Sequence, residues 1–425
     1  MQLPSNSSPA PRVLHVSQPV DGGVARVVTD LVRAQRAAGI DVHLACPDGG
    51  TLARSAAPVP VHPWAAARSP GPGLRAEVRD LARVVDAVRP TLVHAHSAKA
   101  GLAARVAVRG RVPTVFQPHA WSFEAVDGSV ALLARTWERH AARWTARTLC
   151  VSEAERDTGR RAGIAGPCSI VPNGIDPERF VPADRRAARA GLLAAADGPW
   201  GLDAPRAVAA PWVVCVGRLC RQKGQDVLLR AWPTVAARVP GARLILVGDG
   251  PEAGALRAGA ADSAGLADAA DSSSASHSPP SRPSYTSPPA SPSVTFVGAA
   301  EDTAPWYRAA DVVVQPSRWE GMALAPLEAM ACARPVVLTD VDGARESLPP
   351  AHHAHALVPP EDPDALADAL TALLRDPALR ESLGTQGRAH VLDHHDVRRT
   401  AAAVEAVYRE LLGPAPTEHR ECSTT

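Results

Sequence analysis

The chain has 425 residues, of which 46% are hydrophobic and 21% charged, and this composition is typical of a globular protein with two or three domains. Its 45 basic and 44 acidic residues leave a net charge of +1, which excludes a nucleic-acid-binding protein held by bulk charge. The sequence contains no run of the ~20 apolar residues that a membrane-spanning helix needs. Residues 1–6 lack the basic and apolar regions of a secretory signal, so we expect a cytoplasmic protein.

The cysteines and lysines of the sequence bear on the kinds of site that the chain can contain. The seven cysteines are scattered and never form C-x-x-C, which indicates reduced thiols rather than a disulfide framework or a zinc site. Only Lys99 and Lys223 are lysine, whereas the other 43 basic residues are arginine. A lysine inside a motif is therefore more informative here than an arginine.

The first half of the chain alternates short apolar runs with helical patterns. A predicted strand at 13–17 is followed by a turn at Gly22-Gly23, a helical pattern over 24–32 and a second strand at 42–45. Further short apolar runs lie at 91–94, 114–116 and 148–151. This alternation predicts a parallel sheet that is covered by helices on both faces.

The same pattern begins again in the second half. We predict strands at 212–217, 244–248, 294–297, 312–314 and 335–338. Two α/β halves are therefore expected, joined between Asn173 and Pro211, and neither contains the G-x-G-x-x-G fingerprint. Residues 257–293 are rich in Ala, Ser and Pro, and we interpret them as a disordered loop within the second half.

Charged side chains follow three predicted strands of the second half, at 218–224, 249–252 and 315–322. In parallel sheets, ligands bind beyond the carboxyl ends of the strands, where helix N-termini present free N–H groups. Cations there suit a phosphorylated ligand, and carboxylates suit the hydroxyl groups of a sugar.

Four motifs in a fixed order carry a family resemblance. They are G-R-L-x-x-x-K-G at 217–224, G-D-G-P at 248–251, S-R-W-E-G-M-A-L-A-P-L-E-A-M-A at 317–331 and R-P-V-V-L-T-D-V-D-G at 334–343. In this order the chain resembles the retaining glycosyltransferases of family four, apart from the Ser/Pro-rich loop and the two tails.

The resemblance implies an α/β fold of the GT-B type, with two Rossmann-like parallel-sheet domains facing across a cleft. Residues 1–178 would form the acceptor domain and 179–389 the nucleotide-sugar domain. Residues 390–412 would cross back to the first domain, and 413–425 would form a flexible tail.

The resemblance also assigns roles in the donor site. Arg218 and Lys223 would hold the diphosphate of the donor, which fits a guanidinium fork and a compact ammonium charge aimed at a leaving phosphate. Glu320 would accept hydrogen bonds from hydroxyls of the donor sugar, and Glu328 would bind the ribose hydroxyls. Backbone N–H groups at a helix N-terminus would face the diphosphate, those of Gly321, Met322 and Ala323. The alternative is that Arg218 is an ordinary surface arginine, Glu320 is a solvated loop residue and Glu328 only interacts favourably with the helix dipole.

In the first half the resemblance points to a glycine loop and a histidine. Gly22 and Gly23 would let the donor phosphate approach the backbone closely, although a plain tight turn is the alternative. His119 would lie beside the donor sugar, where the family usually has glycine next and this chain has Ala120. Weaker candidates at strand ends are His96, Ser97, Ser152 and Glu153, and a structural turn is expected at Asn173, Gly174 and Asp176.

Two further patterns are given less weight. Asp340 and Asp342 spell D-x-D, but they stand where the family reads T-D-V-G-G, so we do not assign a metal site to them. A basic stripe is predicted on one helical face, with tryptophans nearby, and a solvated face is favoured over contact with anionic lipid; its members are Arg135, Arg139, Arg143 and Arg147.

The implied activity is transfer of a hexosyl group, with retention, from a UDP- or GDP-sugar to a hydroxyl of a lipid-linked, polysaccharide or small-metabolite acceptor. The resemblance implies front-face displacement without a metal ion or other cofactor, since no acidic residue has a claim as nucleophile. We expect no nucleic-acid partner, and peripheral contact with the inner membrane surface stays open. A GT-B epimerase or phosphorylase, a sugar-binding protein and a degenerate partner subunit are the alternatives.

Overall fold

A computed structural model of the chain describes residues 11–68, 70–195, 204–261 and 293–413. The chain divides into two units. The first comprises the residues up to Val151, Arg156–Pro172 and the chain from Val397, and the second comprises Ser152–Glu155 and Asn173–Asp396. The corresponding borders expected from the sequence were 178 and 389.

The first unit is built on seven parallel strands in the order β3-β2-β1-β4-β5-β6-β7. Because the first strand lies in the middle and later strands are added on both sides, the sheet is doubly wound. Val13 of the first strand pairs with Val42 on one side and with Leu92 on the other. The strands are β1 Arg12–Ser17, β2 Asp41–Cys46, β3 Val61–Pro63, β4 Leu92–His96, β5 Thr114–Gln117, β6 Arg147–Cys150 and β7 Cys168–Ile170.

Helices cover this sheet. They are α1 Gly22–Ala37, α2 Leu52–Ser55, α3 Leu74–Val88, α4 Ser97–Val108, α5 Gly128–Ala141, α6 Glu153–Arg161 and, from the end of the chain, α16 Val397–Leu412. The last helix lies within residues 390–412, which were expected to cross back to the first domain. It packs Val404 and Tyr408 against Leu31 of α1 and the buried strand residues Val13 and Leu92.

The second unit has six parallel strands in the order β10-β9-β8-β11-β12-β13. They are β8 Trp212–Val216, β9 Arg243–Val247, β10 Val294–Gly298, β11 Val312–Gln315, β12 Val336–Thr339 and β13 Leu357–Val358. Every residue of β8, β11 and β12 is buried. This agrees with their continuous apolar sequences, which predict strands covered on both faces of the sheet. All strands predicted in both halves are confirmed, and the ones missed are the short strands β3, β7 and β13 at the edges.

The helices of the second unit are α7 Arg185–Ala195, α8 Ala204–Ala209, α9 Gln225–Arg238, α10 253–261, α11 Ala304–Ala309, α12 Leu324–Ala331, α13 His353–Ala356, α14 Pro363–Arg375 and α15 Pro377–His394. Residues 257–261 are therefore helical, although the sequence placed them in the Ser/Pro-rich loop. Residues 262–292 of that predicted loop, and residues 414–425 of the predicted tail, lie outside the described residues.

The basic stripe predicted around α5 does not exist as one helical face. The helix ends at Ala141, a 3-10 turn covers Ala142–Trp144, and Arg147 opens strand β6. Arg139 donates to the carbonyl oxygen of Ala162, and Arg147 pairs with Glu410 at 3.0 Å. Within the described ranges, every helix is too short or too polar to cross a bilayer.

Candidate functional site

In the second unit, two of the predicted site residues are bonded to each other. Lys223 and Glu320 form an ion pair between Nζ and Oε1. The same carboxylate oxygen accepts a 2.7 Å hydrogen bond from Ser317 Oγ, and Gln315 Nε2 donates to that hydroxyl at 2.8 Å. The Lys223 and Glu320 side chains are 19% and 11% exposed. Both charges are therefore held by neighbours yet retain a path to solvent.

The loop that carries Arg218 and Lys223 is fixed by backbone bonds. The Leu219 N–H donates to the carbonyl of Asp249 at 3.0 Å, and the carbonyl of Leu219 accepts from the Glu252 N–H at 3.1 Å. Arg218 is exposed, and its carbonyl accepts a 3.0 Å bond from Gln225 Nε2. The backbone of the loop is thus rigid, while the Arg218 side chain reaches solvent.

Glycines explain how closely the loops of this unit approach each other. A Cβ on Gly250 would lie 2.2 Å from the carbonyl oxygen of Leu219, so the second glycine of G-D-G-P has a packing role. A Cβ on Gly224 would lie 1.9 Å from the oxygen of Pro316, at a φ of +64°. Only glycine fits these positions, and this is a steric reason that the motif alone did not supply.

Glu328 is buried within α12 and is bonded to a tyrosine. Tyr307 Oη donates a 2.7 Å hydrogen bond to Glu328 Oε2, and the two residues are 0% and 4% exposed. Tyr307 was not among the predicted site residues, because no spacing in the sequence links residue 307 to residue 328. The role of Glu328 at a ribose stays a prediction.

The segment before α12 is tied down through its carbonyl oxygens. Ser152 Oγ donates to the oxygen of Gly321 at 3.0 Å, and Asn173 Nδ2 donates to that of Met322 at 2.8 Å. The Asn173 carbonyl in turn lies 2.9 Å from Nδ1 of His395. Ser152 and Asn173 therefore position the stretch whose N–H groups were predicted to face a diphosphate.

A pocket opens beside Ser317 and Glu320. Ser317, Glu320, Ala323 and Asp342 are among the residues that line it. Of the two D-x-D aspartates, Asp340 is paired instead with Arg345. Asp340 thus bonds an arginine, whereas Asp342 lines the pocket.

In the first unit, four imidazoles lie in one cluster, and three of them, His15, His94 and His96, are fully buried. His15 Nε2 is 2.8 Å from Gln35 Oε1, and His15 Nδ1 is 3.0 Å from His96 Nε2. His96 Nδ1 is 3.3 Å from Nε2 of His119, the histidine predicted to lie beside the donor sugar. His94 Nδ1 lies 2.6 Å from Tyr408 Oη. We call Gln35, His15, His96 and His119 the histidine chain.

The histidine chain is electrically neutral near pH 7. Burial lowers the pKa of His15 to about 4 and that of His119 to about 3. Burial also holds the pKa values of His94 and His96 well below their usual range, and the neighbouring imidazoles add to the effect. Each imidazole therefore carries a single ring proton.

Three of these histidines also lie close enough to be considered as metal ligands. Ring nitrogens of His15, His94 and His96 lie within 4.8 Å of one another. The 3.0 Å separation between His15 Nδ1 and His96 Nε2 is a hydrogen-bond distance, so a proton between them already accounts for the contact. The structure thus favours a hydrogen-bonded cluster.

The loops of the first unit place the other predicted residues. Gly22 and Gly23 open α1, and Gly22 has a φ of +81°. Apart from their own helix and chain neighbours, no atom of the described residues lies within 4 Å of the position that a Cβ would take on either glycine. His119 and Ala120 have φ values of +54° and +84°, which is the left-handed region. Of the weaker candidates, Ser97 begins α4. Glu153 belongs instead to the second unit, where its N–H donates to Glu346 Oε2 at 2.7 Å.

Comparison with known proteins decides the family. The model described as "Glycosyltransferase Family 4" matches residues 21–179, and the model described as "Glycosyl transferases group 1" matches residues 210–272 and 277–376. The chain belongs to glycosyltransferase family 4. The order of motifs along the second unit therefore identified the family correctly.

Two curated relatives of this family 4 chain are mannosyltransferases. The lipopolysaccharide core biosynthesis mannosyltransferase LpsB of Rhizobium meliloti is 30% identical over 60% of this chain and 64% of its own length. A GDP-mannose-dependent monoacylated alpha-(1-6)-phosphatidylinositol monomannoside mannosyltransferase of Corynebacterium glutamicum is 32% identical over 52% of this chain and 50% of its own length. The chain thus spans between half and two thirds of these relatives.

A solved structure shows the fold. HepE of Anabaena, in complex with UDP and glucose, superimposes with a TM-score of 0.73 at 20% identity, over 94% of this chain and 99% of that one. The family 4 chain therefore has the GT-B fold, with two parallel-sheet α/β domains, as expected.

Proposed function

We propose that this chain transfers a hexosyl group from a nucleoside diphosphate sugar to an acceptor hydroxyl, with retention at the anomeric carbon. The observation that carries the proposal is the Lys223–Glu320 ion pair with its Ser317 and Gln315 support, at the ends of strands β8 and β11. A fixed cation beside a fixed carboxylate suits a ligand that presents phosphate next to sugar hydroxyls. Family membership supports it.

In this proposal the donor lies on the second unit. Arg218 and Lys223 bind the diphosphate, Glu320 accepts hydrogen bonds from the sugar hydroxyls, and Glu328 binds the ribose. The N–H groups of Gly321, Met322 and Ala323 face the phosphate, because a helix N-terminus favours negative charge. In the first unit, Gly22 and Gly23 leave room for the phosphate, and His119 hydrogen-bonds the sugar.

The proposed chemistry is a front-face displacement. The bond between the anomeric carbon and the diphosphate oxygen breaks, the acceptor oxygen bonds to the same face, and the leaving oxygen takes the acceptor proton. Arg218 and Lys223 stabilise the charge that grows on the diphosphate, so the proposal includes no metal ion. We propose that the protein acts in the cytoplasm.

The relatives narrow the donors worth testing. One is named as GDP-mannose-dependent, and the HepE structure holds UDP and glucose. We therefore propose a GDP- or UDP-sugar as donor, and a lipid-linked sugar, a polysaccharide or a small metabolite as acceptor. Because one relative acts on a phosphatidylinositol mannoside and another in lipopolysaccharide core synthesis, the lipid-linked class is the first to test.

The test is a thermal-shift screen of the full chain against GDP, UDP, ADP and their sugar conjugates. At a ligand concentration of 100 times Kd, binding stabilises the folded state by about 2.7 kcal/mol, which raises the melting temperature by a few degrees. We expect one nucleotide to stabilise the wild type but not Lys223→Ala. Arg238→Ala is the matched control, since Arg238 lies at the end of α9 that is remote from the motif and forms an exposed ion pair with Asp368.

The donor identified in the screen is then incubated with acceptors, and the anomeric configuration of the product is read by NMR. A product with the donor's configuration supports retention, whereas the opposite configuration contradicts it. If no nucleotide stabilises the wild type, the donor assignment is wrong and a non-catalytic partner subunit becomes the better account.

A further inference from the structure

The histidine chain connects a buried amide to the residue that the proposed function places beside the donor sugar. Gln35 lies on α1 and is fully buried, as are His15 on β1 and His96 at the end of β4. His119 follows β5 and is partly exposed. The contacts between successive members measure 2.8, 3.0 and 3.3 Å, so each link is a hydrogen bond.

We infer that the Gln35 side chain fixes the tautomer of His119 through His15 and His96, so that His119 presents Nδ1 as a hydrogen-bond acceptor. The inference rests on the proposed function for the role of His119, whereas the tautomer is argued from the orientation of the Gln35 amide and the three links of the chain. Gln35, His15 and His96 are then positioning residues, since they act on a ligand only through His119.

The direction of the chain follows from counting protons. The oxygen Oε1 of Gln35 can only accept, so the proton of neutral His15 lies on Nε2 and its Nδ1 is an acceptor. His96 must then donate through Nε2, which leaves its Nδ1 as an acceptor. His119 in turn donates through Nε2, and its Nδ1 keeps a lone pair.

Neutrality is what makes this chain directional. A doubly protonated imidazole would donate from both nitrogens and would face a second donor at the next link. The low pKa values of all three histidines, caused by burial, exclude that state near pH 7. A single amide in the interior therefore orients three protons in series, the last of them at the proposed site.

The consequence is a preference for the ligand group that meets His119. An Nδ1 lone pair accepts a hydrogen bond from a hydroxyl group and repels a phosphate oxygen. The structure thus points to a sugar hydroxyl, acting as donor, as the partner of His119. The opposite orientation of the Gln35 amide would reverse every link and make Nδ1 of His119 a donor.

Tautomers can be read directly in the full chain by NMR. Protonated and unprotonated imidazole nitrogens resonate in separate regions of a long-range proton–nitrogen spectrum of protein labelled with ¹⁵N-histidine. The signals of His119 are assigned by their loss in His119→Gln. We expect His119, His96 and His15 each to be protonated at Nε2 only, at pH 7 and without ligand.

Two variants test whether the order comes from Gln35. Gln35→Leu removes the acceptor and His15→Phe interrupts the chain, and in each we expect a measurable fraction of His119 to become protonated at Nδ1. Thr29→Val is the matched control, because Thr29 is buried in the same helix and its hydroxyl donates to the carbonyl of Ala25 in the preceding turn. The control should keep the wild-type tautomer at His119.

Other results would overturn the inference. Nδ1 protonation of His119 in the wild type contradicts the stated direction, and an unchanged His119 in both variants shows that the chain does not transmit it. Spectra that change when a chelator is added would assign the cluster of His15, His94 and His96 to a metal ion instead. Because no donor is present, failure of the proposed transfer would leave these readouts unaffected.

Discussion

Lys223 and Glu320 neutralise each other through an ion pair. A bound diphosphate would give the ammonium group a second anion, and sugar hydroxyls would give the carboxylate new donors. Lys223 would then bind the diphosphate and Glu320 would bind the sugar hydroxyls, so neither charge would be left without a partner. The effects on stability and on ligand binding can therefore be separated by substituting one member of the pair or both.

Lys223→Ala should abolish nucleotide binding and lower stability at once. The substitution leaves the carboxylate of Glu320, which is 11% exposed, with Ser317 Oγ as its main remaining partner. We expect a loss of about 1–3 kcal/mol in the free energy of unfolding, measured by urea denaturation. In a transfer assay, activity should fall at least 100-fold.

The double variant Lys223→Met/Glu320→Gln separates the two effects. Removing both charges should restore most of the stability that Lys223→Ala loses, because no unpaired charge is left buried. Transfer activity should stay absent. Activity near the wild-type level in either variant would contradict the donor-site assignment.

Tyr307→Phe should weaken ribose binding while leaving the fold intact. The change removes the hydroxyl that donates to Glu328 at 2.7 Å and keeps the ring in its fully buried place. We expect stability to fall by about 1–2 kcal/mol and nucleotide affinity, measured by calorimetry, to fall several-fold. If the wild type and Tyr307→Phe each bound the nucleotide no more tightly than free diphosphate, Glu328 would not be a partner of the ribose.

Ala120→Gly should stabilise the protein. Ala120 has a φ of +84°, where a Cβ is strained, so glycine should raise the free energy of unfolding by about 1 kcal/mol. Ala403→Gly, at an exposed position within α16, should lower it by about the same amount, because glycine is unfavourable inside a helix. A loss of stability in Ala120→Gly would show that the loop needs its methyl group.

The stability of the chain should fall with acid because its histidines are buried in the neutral form. The pKa of His15 is about 4 when folded and about 6.5 when unfolded, so below pH 6.5 the unfolded state binds the extra proton. Above pH 6.5 the neutral His15 causes no loss in the free energy of unfolding. As the pH falls from 6.5 to about 4, His15 lowers the free energy of unfolding by up to about 1.4 kcal/mol per pH unit.

Urea denaturation at pH 7, 6 and 5 measures this slope. His15→Leu should be less stable at pH 7 but should lose less stability per pH unit than the wild type. Thr29→Val removes a buried hydroxyl but no titratable group and should leave the slope unchanged. Equal slopes in all three proteins would contradict the burial of a neutral His15.

Local sequence determined the sheets, the motif order and the family. Strands such as β8 and β11 are continuous apolar runs, and a run that is buried on both faces needs no information from distant residues. The G-R-L-x-x-x-K-G motif, and the pair of Glu320 and Glu328, each lie within a single loop and the helix that follows it, so their spacing is visible along the chain. The edge strands β3, β7 and β13, with three, three and two residues, are too short for such a pattern.

Only the tertiary structure decided which of these residues meet. Lys223 and Glu320 are 97 residues apart and were predicted as separate members of the site, yet they form a pair. Tyr307 of α11 meets Glu328 of α12, and Gln35 of α1 meets His15 of β1, only because the packing of the fold brings these separate elements together. A hydrogen bond depends on distance in space, and sequence spacing encodes that distance only within one turn of a helix or one loop.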